Sequence, residues 1–171
     1  MTLLAQQTKF PLALETRKKT AIDNLLSNEP VFPQMHAERA GYVNKYSPSC
    51  IFRGVGPSMT YNCHGMTFAA RRTQIFEGSE VLKILQDDNY GPVNKENVLP
   101  GDIAVYFSTA SSQTGIAGDP EHSATVIEAS TLGGLRRIKV VSRWRYCDEV
   151  IHFVENAPYD TGDVRYYRVQ S

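Results

Sequence analysis

An α+β domain is the fold class this sequence predicts, on three observations. Apolar residues recur at helical spacing only between residues 15 and 87. From Ile103 onward the spacing shortens to that of strands. Between two of those strands stands Thr131-Leu132-Gly133-Gly134, a hairpin turn signal. Helices first and a mostly antiparallel sheet afterwards is the α+β order.

Residues 15–28 predict the first helix, with Ala21, Leu25 and Leu26 on one side and charges on the other. Pro30 and Pro33 are expected to stop it. Residues 30–60, rich in Pro, Gly, Ser and Tyr, predict irregular structure, an arm laid across the domain. Residues 62–76 predict a second helix with Met66, Ala69, Ala70 and Thr73 on its buried stripe, and Ser79 opens a third that ends near Asp87. Residues 89–100 read as a turn region. Strands are expected at 103–107, 123–129, 135–144, 150–154 and 164–169, with a polar loop at 108–121. The whole reads as one domain: residues 1–57 as a helix and arm packed on the core, residues 58–171 as the core.

Lys plus Arg equals Asp plus Glu, at 18 each, so net charge offers no argument for nucleic acid or an anionic membrane. No stretch approaches the ~20 apolar residues of a membrane helix. Gln6, Gln7 and Lys9 interrupt the apolar start, unlike a signal peptide. The expected location is the cytoplasm, or outside it by a route without a cleavable signal. Three cysteines, Cys50, Cys63 and Cys147, are too few and too odd in number for a disulfide framework, and none pair at Cys-x-x-Cys spacing.

Cys63 is the thiol with a physical reason to react. A helix start supplies free N–H groups that favour a thiolate and can hold an oxyanion. Gly65 allows close approach. The competing reading of Cys63 alone is a small buried hydrophobe. Of the four histidines, His64 is adjacent to Cys63, and neighbours on a helix do not face each other. His122 ends a loop and opens an apolar strand, a better place for a base. A third group should orient the imidazole. Ser142 is preferred, because the hairpin brings residues 140–144 alongside, while His152, Asp148 and Glu149 are the alternatives. Tyr61 and Asn62, just ahead of Cys63, are candidates for substrate or oxyanion contact. Trp144, Tyr159, Tyr166 and Tyr167 line either a groove or the core. Asp102, in Pro100-Gly101-Asp102, reads as a turn carboxylate accepting backbone N–H groups.

Three segments carry a resemblance. Asn62-Cys63-His64-Gly65 resembles the Asp-Cys-Ser-Gly helix start of NlpC-type cell-wall peptidases. Leu99-Pro100-Gly101-Asp102-Ile103 through Phe107 resembles their Pro-Gly-Asp strand, and Glu121-His122-Ser123-Ala124-Thr125-Val126 their His-containing strand. CHAP-type amidases share the plan. The similarity spans residues 58–145 and departs from the family at His64, where a small Ser is usual. It implies a papain-like fold, the catalytic Cys at a helix N-terminus against an antiparallel sheet. It implies a cysteine hydrolase cleaving an amide through a Cys63 thioester, with His122 as general base and acid. A peptide or protein substrate and no cofactor are then expected. The competing readings are a zinc-binding protein using Cys63, His64 and His122, and a binding protein that keeps the fold without the chemistry.

Overall fold

The computed structural model describes residues 9–109 and 118–171. The expected loop at 108–121 therefore falls largely outside the described residues. Nine strands and three helices follow in the order β1 (Lys9–Phe10), β2 (Leu26–Ser27), α1 (Pro33–Tyr46), β3 (Ile51–Phe52), α2 (Cys63–Phe68), α3 (Gly78–Asp87), β4 (Tyr90–Val93), β5 (Ile103–Phe107), β6 (Pro120–Leu132), β7 (Leu135–Trp144), β8 (Asp148–Phe153) and β9 (Val164–Val169) among the described residues. A single 3₁₀ turn, Lys95–Asn97, precedes β5.

β3 to β9 form one seven-stranded antiparallel sheet in the order β3-β8-β7-β6-β5-β9-β4. The fold class is thus α+β. The strand residues at 103–107, 135–144 and 164–169 match the sequence reading residue for residue. β5 is buried along its whole length, which suits the fifth strand of seven with packing on both faces.

The first helix is misplaced in the sequence reading. Residues 15–28 form no helix: Glu15 bridges Ala21, and Lys19 sits at φ +66 in a tight turn. Thr16 and Thr20 hydroxyls donate to Asp87, and the Asn24 side chain bonds the backbone of Leu12. Such short polar side chains compete with helical hydrogen bonds once they find tertiary partners. The helix lies instead at 33–46, where irregular structure was expected. Pro33 starts it rather than stopping its predecessor, since the first helical position needs no N–H donor. No residue of α1 is fully buried, so it carries no clear apolar stripe, and it docks chiefly through Tyr42 and Tyr46 against Trp144.

The second helix is shorter than expected, ending at Phe68 instead of 76. Ala70 and Arg71 both take positive φ, +49 and +65, turning the chain back on itself. Arg71 is held there by two bonds to Glu149. The returning strand brings the Thr73 carbonyl against Gly65, where a Cβ would lie 1.7 Å from its oxygen. Sequence periodicity continues through Thr73, but the chain does not.

Alternation along the sheet separates two faces. Val105 pairs Ser123, and their face receives α2 and α3: Val81 and Leu85 of α3 pack on Ile103, Val105 and Phe107. Tyr106 pairs His122, Val126 pairs Val140 and Val140 pairs His152. His122, Ser142, Trp144 and His152 therefore share the other face, which α1 covers through the Cys50–Trp144–Val150 cluster.

Candidate active site

Cys63 is the first residue of α2 and is buried. Asn62 caps the helix: its Oδ1 accepts from Gly65 N at 2.9 Å and Ile75 N at 3.1 Å, while its Nδ2 donates to Ile75 O at 2.6 Å. The side chain expected as an oxyanion contact is thus occupied in tying α2 to the segment that returns past it.

The thiol lies where two strands part. The β6–β7 ladder runs from Thr125↔Val141 to Leu132↔Leu135, leaving the first residues of β6 without a β7 partner. Val126 exchanges backbone bonds with Gly101 and Asp102 on the β5 side. Backbone groups alternate sides along a strand, so Ser123 turns its N–H toward the β7 side. The backbone N–H groups of Ser123, of His64 and of Cys63 itself all act on the sulfur in the direction that favours its thiolate. Burial opposes them and wins, with the Glu121 carboxylate adding to it, and pushes the thiol up to about 11. The resting thiol is neutral. α2 has only six residues, so individual N–H groups, more than a long macrodipole, set this environment.

His64 is buried and belongs to the framework. Its Nδ1 lies 2.8 Å from Ser123 Oγ, which donates to Thr67 Oγ1 at 3.0 Å, and Thr67 donates to Cys63 O at 3.0 Å. This chain locks α2 onto β6. Burial drives His64 down to about 4, so it stays neutral.

His122 is the unusual residue. It is fully buried, and neither ring nitrogen has a hydrogen-bond partner among the described residues. Buried polar atoms are nearly always bonded, so an imidazole with both nitrogens free needs a reason. Burial, then the nearby His152 and His64, hold it well below the ordinary imidazole value. Its ring is stacked on Tyr159, centroids 3.8 Å apart and planes 13° apart, and meets Tyr106 edge-on at 5.1 Å. Tyr159 in turn is within electrostatic range of Cys63, since a charge on that thiol would push the phenol up further. No hydrogen bond joins the Cys63 sulfur to either His122 nitrogen among the described residues.

Ser142 and His152 do come together on the His122 face, but with each other. Ser142 Oγ lies 2.9 Å from His152 Nε2, and His152 Nδ1 lies 2.8 Å from Phe153 O. Neither bonds His122. His152 is pressed down to about 4 by burial. Asp148 takes Arg39 and the Val55 N–H. Glu149 takes Arg53, Arg71 and the Tyr61 hydroxyl, which places Tyr61 in an anchoring contact behind α2. Trp144 is wholly buried among Tyr42, Tyr46 and Phe52, the core role rather than the groove. Asp102 accepts from Leu99 N and from Arg168 twice, as a turn carboxylate should.

A cavity of about 250 Å³ opens at Cys63, walled by His64, Phe76, Glu77, Pro120 and Glu121 among others. Cys50 makes weak contacts to the Ser49 hydroxyl and the Asn156 carbonyl, and Cys147 to the Met35 carbonyl. Among the described residues no three His, Cys, Asp or Glu side chains gather as metal ligands. No described helix is long and apolar enough to cross a membrane. What sequence reasoning missed is the Ser123 N–H and the placing of Tyr159 on the imidazole. A strand pattern cannot reveal where a ladder stops, and a lone tyrosine in a loop carries no spacing signal.

No protein-family model matches the chain, and no curated protein or solved structure matches it significantly.

Proposed function

We propose that this protein is a cysteine-dependent hydrolase of the papain-like kind, acting on an amide bond with Cys63 as nucleophile and His122 as base. The observation that carries the reading is His122: a fully buried imidazole whose two nitrogens have no partner among the described residues, next in the chain to Ser123, whose backbone N–H favours the Cys63 thiolate. A side chain kept in that state at such a cost is one with a proton to take. The resemblance of residues 58–145 to NlpC-type and CHAP-type enzymes points the same way.

In the reaction the S–H bond of Cys63 breaks, its proton passes to a ring nitrogen of His122, and the electron pair stays on sulfur. The thiolate adds to the substrate carbonyl, and helix-start N–H groups receive the oxyanion. Collapse to a thioester expels the amine, which takes the proton from His122. Water, deprotonated by the same imidazole, then adds to the thioester carbonyl; the C–S bond breaks, the acid leaves, and His122 returns the proton to the Cys63 sulfur. In the closed protein both partners are neutral, so the ion pair forms as substrate enters and the catalytic contacts tighten.

Iodoacetamide labelling read by peptide mass tests this. Cys63, which opens onto a cavity, is expected to label before Cys50 and Cys147 near neutral pH. Cys63→Ala should abolish amide hydrolysis, and His122→Ala should slow both hydrolysis and labelling. Unchanged biological effect in both variants would instead establish a non-catalytic binding protein.

A further inference from the structure

We infer that the ring of Tyr159 is the group that orients the His122 imidazole and carries its positive charge once His122 holds the Cys63 proton. The inference rests on His122 being the base.

The usual orienting group is a side chain hydrogen-bonded to the far ring nitrogen. None serves here. Ser142, placed for that role by the hairpin, bonds to His152, and His152 spends its other nitrogen on the Phe153 carbonyl. With no bond at Nδ1 or Nε2 among the described residues, the plane of the imidazole follows its aromatic contacts. Tyr106 touches the ring edge-on, and Tyr159 covers its face at 3.8 Å, nearly parallel.

Tyr159 is itself held. Its hydroxyl accepts the Arg145 N–H at 2.9 Å, and Arg145 sits at φ +51 in the turn between β7 and β8. A fixed phenol on a buried imidazole has a chemical consequence. When the thiol proton reaches a His122 nitrogen, the new cation lies directly on a π face, the geometry of a cation–π contact. The other groups facing it are Tyr106, His152 and His64, all uncharged near neutral pH, so none of them supplies a counter-charge. The electron-rich ring is the feature on that face that favours it. Tyr159 is thus a positioning residue, acting on the reaction through His122.

The test varies the electrons of the ring and leaves its shape alone. Tyr159→Phe and then mono-, di- and trifluorophenylalanine would be placed at position 159 of the full-length protein. The readout is the rate of Cys63 alkylation by iodoacetamide at pH 7, followed by peptide mass, with a thermal melt as folding control. The Phe variant should react within about twofold of the natural protein. Rates should then fall stepwise with fluorination, to between about threefold and thirtyfold slower, the span of a partly to fully desolvated cation–π contact. A purely packing role gives a flat series, since fluorine barely changes the ring's size, and a flat series overturns the inference. Loss of rate already at Tyr159→Phe, with no further trend, assigns the effect to the hydroxyl and also overturns it. His122→Ala separates the two levels. If it alkylates as fast as the natural protein, the base assignment itself fails. If it is slow while the fluorinated series is flat, only the role of Tyr159 fails.

Discussion

Gly65→Ala is the substitution that tests most directly how the site is built. A Cβ at residue 65 would lie 1.7 Å from the Thr73 carbonyl oxygen and 2.9 Å from its carbon. Real Cβ atoms do not approach closer than 3.0 Å, so backbone must move by more than a full ångström. The obstacle is backbone, which cannot rotate away as a side chain tip can. The segment that must move is tied to α2 by the two Ile75 bonds to Asn62, while Arg71 N donates to Gly65 O at 3.0 Å. Each bond contributes about 1 kcal/mol net, and disturbing the cap costs about 1 kcal/mol more. The expected loss is therefore about 3–5 kcal/mol, against a typical total of about 5–15 kcal/mol. For a chain of this size that lowers the melting temperature by about 6–20 °C. Urea unfolding followed by circular dichroism measures it. Moving α2 also moves the Cys63 sulfur relative to the backbone N–H groups that favour its thiolate, so Cys63 labelling in the still-folded fraction should change rate. A Gly65→Ala protein within 1 kcal/mol of the natural one would refute the close-approach account of why α2 is short.

Other predictions concern the groups around the site. Asn62→Ala removes the cap and both bonds to Ile75, and should cost about 1–3 kcal/mol in urea unfolding, while Asn62→Asp should retain part of it because Oδ1 is the acceptor for two N–H groups. His64 and His152 are both held near 4 against an ordinary 6.5, so the unfolded chain binds more protons between those values. Stability should therefore be full above about pH 6.5 and fall as the pH drops toward 4; a series of melts across that range should steepen, and His152→Asn should flatten it. Burial raises Glu149, but its bonds to Arg71 and Tyr61 and the Arg53 and Arg71 charges together outweigh it and hold the carboxyl below its ordinary 4.5, so it contributes stability present above that value and lost as pH falls through its lowered one. Glu149→Gln should thus remove part of the acid dependence below about pH 4.5 and loosen Arg71 from its left-handed turn, read as faster amide exchange at residues 70–72.

Much of the architecture was legible because local pattern and tertiary role agree. Residues 135–144 alternate and end in a Gly-Gly turn, and the strand lies where the alternation puts it. The Pro-Gly-Asp corner ahead of β5 was readable because its carboxylate serves its own turn, Leu99 N to Asp102. Cys63 was expected at the N-terminal end of a helix because apolar residues recur at helical spacing after it, and α2 does begin at Cys63. The hairpin was expected to bring residues 140–144 alongside the His122 end of its strand, and the ladder of β6 with β7 pairs Val140 and Val141 with Val126 and Thr125.

Where the reading departed, long-range contacts had overridden local preference. Helical spacing at 15–28 yields to Thr16, Thr20 and Asn24 finding partners on Asp87 and Leu12. α1 was hidden because a helix that docks by two tyrosines leaves no stripe in the sequence. Cys63 as the residue to watch, and the α+β layout around it, were decided by short-range chemistry that sequence carries in full. That α2 stops at Phe68, that Ser123 Oγ meets the His64 ring, and that Tyr159 rather than Ser142 lies on the imidazole were decided by tertiary structure alone. Each depends on residues far apart in the chain meeting at a gap between two strands, and no local spacing encodes where that gap opens.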